Sequence, residues 1–251
     1  MKATKRIAIV GATSAIAEQC ARLWANEENV ALILVGRTAS RLERVASDLR
    51  VRFPTVTVEC RGVADFSDTA ALRNCVEGIA AQEPIDLVLI GHGSLPSQAD
   101  CQTDLDLNLQ TLMVNGLSPV LWAEAFAGLM SAQEQGTLVL IGSVAGDRGR
   151  RSNYVYGAAK GLVTRYAEGL QHRFAGTSVK VVLVKPGPTD TPMTADFKAK
   201  GMKLASVEDV AKSIVSGVAA GKPVIYVPGK WALIMWVIRH LPRAIFNRMN
   251  I

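Results

Sequence analysis

The chain has 251 residues, of which 49% are hydrophobic, and a formal net charge of +6. This length and composition fit one large domain with a sizeable buried core. Except at residues 148–151 and in the tail at 230–248, the basic residues are spread along the chain, which argues against a nucleic-acid-binding protein. The composition is therefore that of an ordinary globular protein.

No targeting or metal-binding pattern is found in the sequence. The first apolar run, at residues 6–10, is too short for a signal peptide, and no stretch approaches the ~20 apolar residues of a membrane span. The spacing of the four cysteines matches neither a CxxC motif nor a zinc site; they are Cys20, Cys60, Cys75 and Cys101. We therefore expect a cytoplasmic protein with free thiols and no bound metal.

Short apolar, β-branched runs alternate with longer segments of helical periodicity. Strands are predicted at residues 6–10, 30–35, 55–59, 85–90, 137–141, 179–184 and 224–227. Helices are predicted at residues 15–26, 41–50, 69–82, 105–133, 154–174 and 207–219. Several strands are apolar at every position, as in a parallel sheet that helices cover on both faces. The pattern predicts an α/β fold with a single doubly wound, Rossmann-type parallel sheet, whose ligand cleft lies at the carboxyl ends of the strands.

The turn after the first predicted strand is a candidate phosphate-binding site. A glycine turn from a strand into a helix lets backbone N–H groups and the helix dipole bind a pyrophosphate. The residues assigned to this turn are Gly11, Thr13, Ser14, Ala15 and Ile16. Its spacing resembles the pattern Gly-x-x-x-Gly-x-Gly, but Ala15 and Ala17 replace the later glycines, so a phosphate would approach less closely. A plain strand-to-helix turn is the alternative interpretation.

Residues after the next three predicted strands extend this site. Arg37 stands where an acidic residue would bind the ribose 2′-hydroxyl of NAD, and an arginine suits the 2′-phosphate of NADP(H) instead. Asp65 lies where a carboxylate could accept a hydrogen bond from the adenine amino group. His92 contacts a cofactor ribose, lines the site or is an ordinary loop histidine, and a solvated loop arginine is the less favoured alternative for Arg37. We predict NADP(H) as the cofactor.

A candidate catalytic group follows the fifth predicted strand. Ser143 ends that strand, and Tyr156 and Lys160 are spaced to share one face of a helix. The Lys160 ammonium and a cationic nicotinamide should lower the pKa of Tyr156 from ~10 toward the working pH. Tyr156 would then be the general acid or base, and Ser143 would hydrogen-bond the reacting oxygen. A buried helical aromatic is the alternative reading of Tyr156.

The same spacing occurs a second time, at Tyr226 and Lys230, and serves as a control. That copy encloses Pro228 and Gly229 directly after a predicted strand, so it cannot form one helical turn. The spacing alone is therefore weak evidence, and the helical setting of Tyr156 is what favours a catalytic role.

The chain resembles the short-chain dehydrogenase/reductase family over nearly its whole length. Matching positions are Gly11, Asp65, Asn115, Ser143, Tyr156, Lys160 and the run Pro186-Gly187-Pro188-Thr189-Asp190-Thr191. The resemblance implies that Asn115 orders a water chain to Lys160 and that Lys160 binds the nicotinamide ribose. It also implies that Pro186, Thr189 and Thr191 face the carboxamide, and that the protein forms homodimers or homotetramers. Gly91-His92-Gly93 departs from the Asn-Ala-Gly of the family.

Two further segments bear on the substrate. Arg148, Arg150 and Arg151 lie between Ser143 and Tyr156 and suit an anionic substrate; a solvated basic loop or a subunit contact is the alternative. Residues 229–251 form an apolar, aromatic and basic tail after the NAD(P)-binding catalytic domain at 1–228. The tail fits a helix in a membrane interface or an oligomer contact. Together these segments resemble reductases of keto-sugars on polyprenyl phosphates.

The sequence as a whole predicts an NADP(H)-dependent oxidoreductase that interconverts a ketone or aldehyde with an alcohol. The substrate would be a small or lipid-linked molecule, with a peripheral membrane contact through the tail and no nucleic-acid partner. A catalytically silent NAD(P)-binding sensor and a membrane-surface interaction protein are the alternatives.

Overall fold

All strands of the sheet pair in parallel in the computed structural model, which describes residues 4–249. They are β1 (Lys5–Val10), β2 (Val30–Gly36), β3 (Thr57–Gly62), β4 (Leu87–Ile90), β5 (Gly136–Ile141), β6 (Val179–Pro186) and β7 (Val224–Val227). Their order is β3-β2-β1-β4-β5-β6-β7. The order reverses between β1 and β4, which is the point where open α/β sheets bind ligands.

Helices cover both faces of the sheet. They are α1 (Ala15–Ala25), α2 (Ala39–Arg52), α3 (Thr69–Ala80), α4 (Gln98–Thr103), α5 (Leu105–Leu112), α6 (Ser118–Ala132), α7 (Tyr154–Arg173), α8 (Ala195–Ala199), α9 (Val207–Ala219), α10 (Lys230–His240) and α11 (Arg243–Phe246). The apolar stripes of α1, α2 and α9 pack on one face. Those of α3, α6 and α7 pack on the other. The predicted doubly wound fold is confirmed.

Each predicted strand and helix has a counterpart in the structure, although several ends differ by two or three residues and the short helices α4 and α8 were not predicted. β3 begins two residues later than expected, at Thr57, and continues to Gly62. The single helix expected at 105–133 is divided into α5 and α6 by a π-helical segment, Met113–Leu117. Pro119 explains the break, because it lacks the N–H that would continue the regular hydrogen-bonding pattern.

The continuous helical stretch Leu105–Ala132 is long and apolar enough to cross a membrane by length and composition alone. The sequence expectation that no stretch has this property is therefore wrong. Half of its most apolar window is buried inside the protein, and Trp122, Phe126 and Met130 are fully buried against the sheet. A core helix of a globular domain can have the same length and apolar composition.

A buried ion pair holds the segment after β5 against the end of β6. Lys185 Nζ lies 2.5 Å from Asp147 Oδ1, and the two side chains are 4% and 1% exposed. The Tyr226 hydroxyl of β7 donates a hydrogen bond of 2.8 Å to Asp147 Oδ2. Because a buried carboxylate without a partner is strongly destabilising, these contacts fix the chain between Ser143 and Tyr156 to the sheet.

Candidate active site

Two adjoining clefts open along the carboxyl edge of the sheet. The first contains Ser143, Tyr156 and Lys160, and the second contains Arg37 and Asp65. The clefts share wall residues at the β1 turn and at the end of β4, namely Thr13, Ser14, His92 and Gly93. They therefore form one groove, in which the predicted catalytic group lies at one end and the predicted adenosine contacts at the other.

The turn after β1 requires a glycine at position 11. Gly11 has a φ of +80°, and a Cβ at this position would lie 2.6 Å from the backbone nitrogen of His92. Ser14 precedes α1, but its side chain makes no capping hydrogen bond to the helix. The first N–H groups of α1, from Ala15 and Ile16, are thus available to an anion in the groove. This arrangement fits a dinucleotide pyrophosphate.

Arg37 and Asp65 line the second cleft and are both exposed. Asp65 Oδ1 accepts hydrogen bonds from the Ser67 hydroxyl, at 2.5 Å, and from the Ser67 backbone N–H, at 2.8 Å. These bonds, with a smaller contribution from the charge of Arg37, lower the pKa of Asp65. Asp65 is therefore an ionised acceptor with Oδ2 left for a ligand, and Arg37 contributes the positive charge of this cleft.

His92 is held in one tautomer by a short chain of hydrogen bonds. The Ser118 hydroxyl donates to the Phe66 carbonyl at 2.9 Å, so it accepts the proton of His92 Nε2, also at 2.9 Å. Nδ1 consequently carries a lone pair, and this buried atom has no partner among the described residues. Burial, followed by the charges of Lys160 and Arg37, lowers the pKa of His92 to about 3. His92 is a neutral wall residue of both clefts and not a solvated loop histidine.

Ser143, Tyr156 and Lys160 meet in the first cleft. Ser143 follows β5, and its side chain hydrogen-bonds the Tyr156 phenol. Lys160 Nζ lies 5.8 Å from the centre of the Tyr156 ring and donates a hydrogen bond of 3.0 Å to the Ile141 carbonyl. The helical register of α7 brings Tyr156 and Lys160 together, and the strand end of β5 places Ser143 beside them, as the sequence predicts.

Burial dominates the protonation state of Tyr156 when no nicotinamide is bound. Burial raises the pKa of the Tyr156 phenol to about 12, and the Ser143 hydrogen bond offsets this only in part. Burial also lowers the pKa of Lys160 to about 8. Without a nicotinamide, desolvation therefore determines the direction of the Tyr156 pKa shift. The expected lowering, which includes the charge of a bound nicotinamide, stays a prediction.

Asn115 lies in the π-helical segment and anchors the turn after β4. Its Oδ1 accepts from the Ser94 backbone N–H, and its Nδ2 donates to the Thr111 carbonyl, both at 2.9 Å. A Cβ on Gly93 would lie 2.8 Å from Asn115 Oδ1 and 3.9 Å from Lys160 Nζ. Asn115 Oδ1 and Lys160 Nζ therefore both lie beside Gly93 in the wall of the groove. The water chain that the family resemblance implies stays a prediction.

The end of β6 forms the wall opposite α7. Pro186, Thr189 and Thr191 line the first cleft, as does Trp231 of α10. Trp231 packs so closely that a Cβ on Gly187 would lie 2.0 Å from its Nε1 atom. Trp231 was not predicted to line the cleft, and its position shortly after β7 is the one signal in the sequence that could have indicated this.

The three arginines between Ser143 and Tyr156 have different surroundings. Arg148 donates hydrogen bonds to the carbonyls of Ile238 and Leu241 at the end of α10, and its guanidinium stacks 3.7 Å from the centre of the Phe246 ring. Arg148 thus holds the tail, and assigning it to the substrate is wrong. Arg151 is exposed and also lies outside the cleft lining, so only Arg150 remains there.

Comparison with known proteins identifies the family and the fold of this chain. The family model for short chain dehydrogenase matches residues 5–201. An uncharacterised oxidoreductase of Mycobacterium tuberculosis is 31% identical over 246 residues, which cover 97% of this chain and 96% of that protein. A short chain dehydrogenase from Burkholderia cenocepacia, solved with NADP, has a TM-score of 0.80 at 17% identity and covers 99% and 98% of the two chains. One from Sphingobium yanoikuyae, solved with NADPH, has a TM-score of 0.79 at 22% identity, covering 98% and 96%.

Because Lys160 is buried, we expect it to make the free energy of unfolding depend on pH. Between about pH 8 and pH 10.5 the unfolded chain keeps a proton that the folded Lys160 has lost. Wild-type stability relative to Lys160→Met should therefore rise as the pH increases through this window, and the difference should be constant below it. Urea unfolding of both proteins from about pH 7 to about pH 10 measures this. A difference that does not change with pH would contradict a desolvated ammonium at this position.

Proposed function

The chain belongs to the short-chain dehydrogenase family, and we propose that it is an NADP(H)-dependent oxidoreductase that interconverts a ketone or aldehyde with an alcohol. The observation that carries this proposal is the convergence of Ser143, Tyr156 and Lys160 in a cleft that continues into the Gly11 turn. A phenol, a hydroxyl and an ammonium at one point suit proton transfer to a carbonyl oxygen. NADPH would supply the hydride when bound.

The chain's own residues account for the proton. Because the pKa of Tyr156 is about 12, the phenol is protonated at neutral pH and can donate to the oxygen of a ketone. Ser143 hydrogen-bonds the phenol and is placed to stabilise charge on the same oxygen. Lys160 stabilises the phenolate that the transfer leaves behind.

The residues at the other end of the groove support NADP(H) as the cofactor. Arg37 follows β2 and supplies a guanidinium where a ribose 2′-phosphate would lie. The Gly11 turn and the start of α1 suit the pyrophosphate, and the Nδ1 lone pair of His92 can accept a hydrogen bond from a ribose hydroxyl. Lys160, Pro186, Thr189 and Thr191 would surround the nicotinamide end.

We further propose that the substrate is a lipid- or phosphate-linked keto-sugar, and that the tail, residues 229–251, makes a peripheral membrane contact. On α10, Leu233 is 69% exposed and Trp236 is 61% exposed, while Ile245 of α11 is 52% exposed. Residues 229–251 contain four arginines or lysines and no acidic residue. Exposed apolar side chains beside basic ones favour a helix at an anionic lipid surface. The same helix contributes Trp231 to the cleft, which would bring the site to the membrane.

Replacing the proposed proton donor tests the reaction. Tyr156→Phe should lower kcat by about 10²- to 10⁴-fold, because the variant keeps the ring but has no proton to donate. NADPH affinity, measured by fluorescence titration, should change little. Near-wild-type turnover would sink the proposal. A wild-type protein that binds NADPH without reducing any of a broad panel of carbonyl compounds would instead support the silent sensor.

Replacing Arg37 tests the cofactor choice. Arg37→Gln should weaken NADPH binding about tenfold or more and leave NADH binding nearly unchanged, because only NADPH carries the 2′-phosphate. Arg52→Gln, which removes an exposed charge at the far end of α2, is the matched control. Equal affinity of the wild type for NADPH and NADH would remove the argument from Arg37.

Polar substitutions on α10 test the membrane contact. The double variant Leu233→Ser and Trp236→Ser should lose co-sedimentation with vesicles of phosphatidylcholine and phosphatidylserine, since it removes exposed apolar area without touching the cleft. Val51→Ser, at an exposed apolar residue of α2, is the control. If vesicle binding is unaltered and size-exclusion chromatography shows a smaller assembly, the tail is a contact in a homodimer or homotetramer instead.

A further inference from the structure

We propose that Arg150 and Asn153 form a substrate subsite that binds a carboxylate or phosphate group next to the reacting carbonyl. The inference rests on the proposed function, because it assigns the substrate class of the same cleft. It narrows the carbonyl substrates of Tyr156 to those that carry an acidic group.

Arg150 is a half-buried cation without a carboxylate partner among the described residues. Its side chain lines the cleft that holds Tyr156, and burial lowers its pKa. No ion pair joins Arg150 to an acidic side chain within residues 4–249, and its buried Nε has no hydrogen-bond partner there. A desolvated guanidinium is costly unless an anion faces it, so the cleft is built for a negative charge that the described residues do not supply.

The composition of the cleft wall leads to the same conclusion. None of the described residues that line this cleft is an aspartate or a glutamate, whereas Arg150 and Lys160 are both basic. Lys160 already donates to the Ile141 carbonyl and lies under the Tyr156 ring. Arg150 is therefore the cationic side chain of this cleft that remains available to bind an anionic group of the substrate.

The side chain of Asn153 does not serve as a helix cap. It precedes α7, where an asparagine side chain usually caps the helix, but it makes no capping hydrogen bond. Gln98 supplies that contact, since its Oε1 accepts from the Val155 backbone N–H at 3.1 Å. Asn153 Oδ1 remains buried in the cleft wall without a partner among the described residues. It is available to accept from a hydroxyl of the molecule whose anion Arg150 holds.

The position of Arg150 assigns the anion to the substrate and not to the cofactor. Arg150 lies on the segment between Ser143 and Tyr156, and it lines only the catalytic cleft. The second cleft has its own cation in Arg37, and the turn between the clefts offers the N–H groups of α1 to the pyrophosphate. The same cleft is also lined by apolar side chains, which include Leu95, Phe197 and Trp231. The subsite thus suits a carbonyl compound with an acidic group and an apolar portion.

The test uses the full-length protein saturated with NADP⁺ and titrated with phenyl phosphate, benzoate and phenol in a calorimeter. We expect phenyl phosphate or benzoate to bind more tightly than phenol. Arg150→Gln should weaken anion binding about tenfold or more, the contribution of a charge-assisted hydrogen bond. Arg150→Lys should have an intermediate effect because it keeps the charge without the planar fork. Arg151→Gln, which removes the same charge from the neighbouring exposed residue, should change affinity less than about twofold.

NADP⁺ affinity, measured on the same variants, separates the two sources of the anion. Unchanged NADP⁺ binding in Arg150→Gln, together with lost anion binding, supports the subsite. Equal loss of NADP⁺ affinity would overturn it, because Arg150 would then serve a cofactor phosphate. Equal binding of phenol and phenyl phosphate by the wild type, or an effect of Arg151→Gln as large as that of Arg150→Gln, would also overturn it. A failure of the proposed reaction would appear separately, as absent turnover with the subsite intact.

Discussion

Burial of the parallel sheet on both faces is the constraint on which the rest of the structure depends. Helices cover both faces, so the strand interiors are apolar and polar chemistry is confined to the strand ends. The carboxyl ends of β1, β2, β4, β5 and β6 meet at one edge, where the order of the strands reverses. The groove that runs along this edge contains every side chain to which we assign a chemical role.

The same burial sets the protonation states in the groove. Tyr156 holds its proton more firmly, and Lys160 more weakly, than either would in water. His92 is kept neutral for the same reason. Burial therefore leaves Tyr156 as a protonated acid that can protonate a carbonyl. The phenolate that results is stabilised only by charges that lie close to it, such as that of Lys160.

The segment between Ser143 and Tyr156 connects the sheet, the cleft and the tail. Asp147 ties it to β6 and β7, and Arg148 ties it to the end of α10, while Arg150 faces the cleft. Because Trp231 enters the cleft from the same tail, residues after β7 help to shape the site. The tail is thus part of the catalytic domain on one side and an exposed apolar surface on the other.

The sequence by itself determined the sheet, the helices on both faces and the grouping of Ser143, Tyr156 and Lys160, because hydrophobic periodicity and helical spacing are local properties of the chain. It did not determine the break at Asn115, whose polar atoms are satisfied by Ser94 and Thr111. Only the tertiary structure decided that Arg148 binds the tail and that Arg150 lines the first cleft. The two residues belong to one loop, but the groups that they contact come from parts of the chain distant in sequence. It also decided the direction of the Tyr156 pKa shift, because desolvation depends on everything packed around the phenol and not on the lysine one turn away.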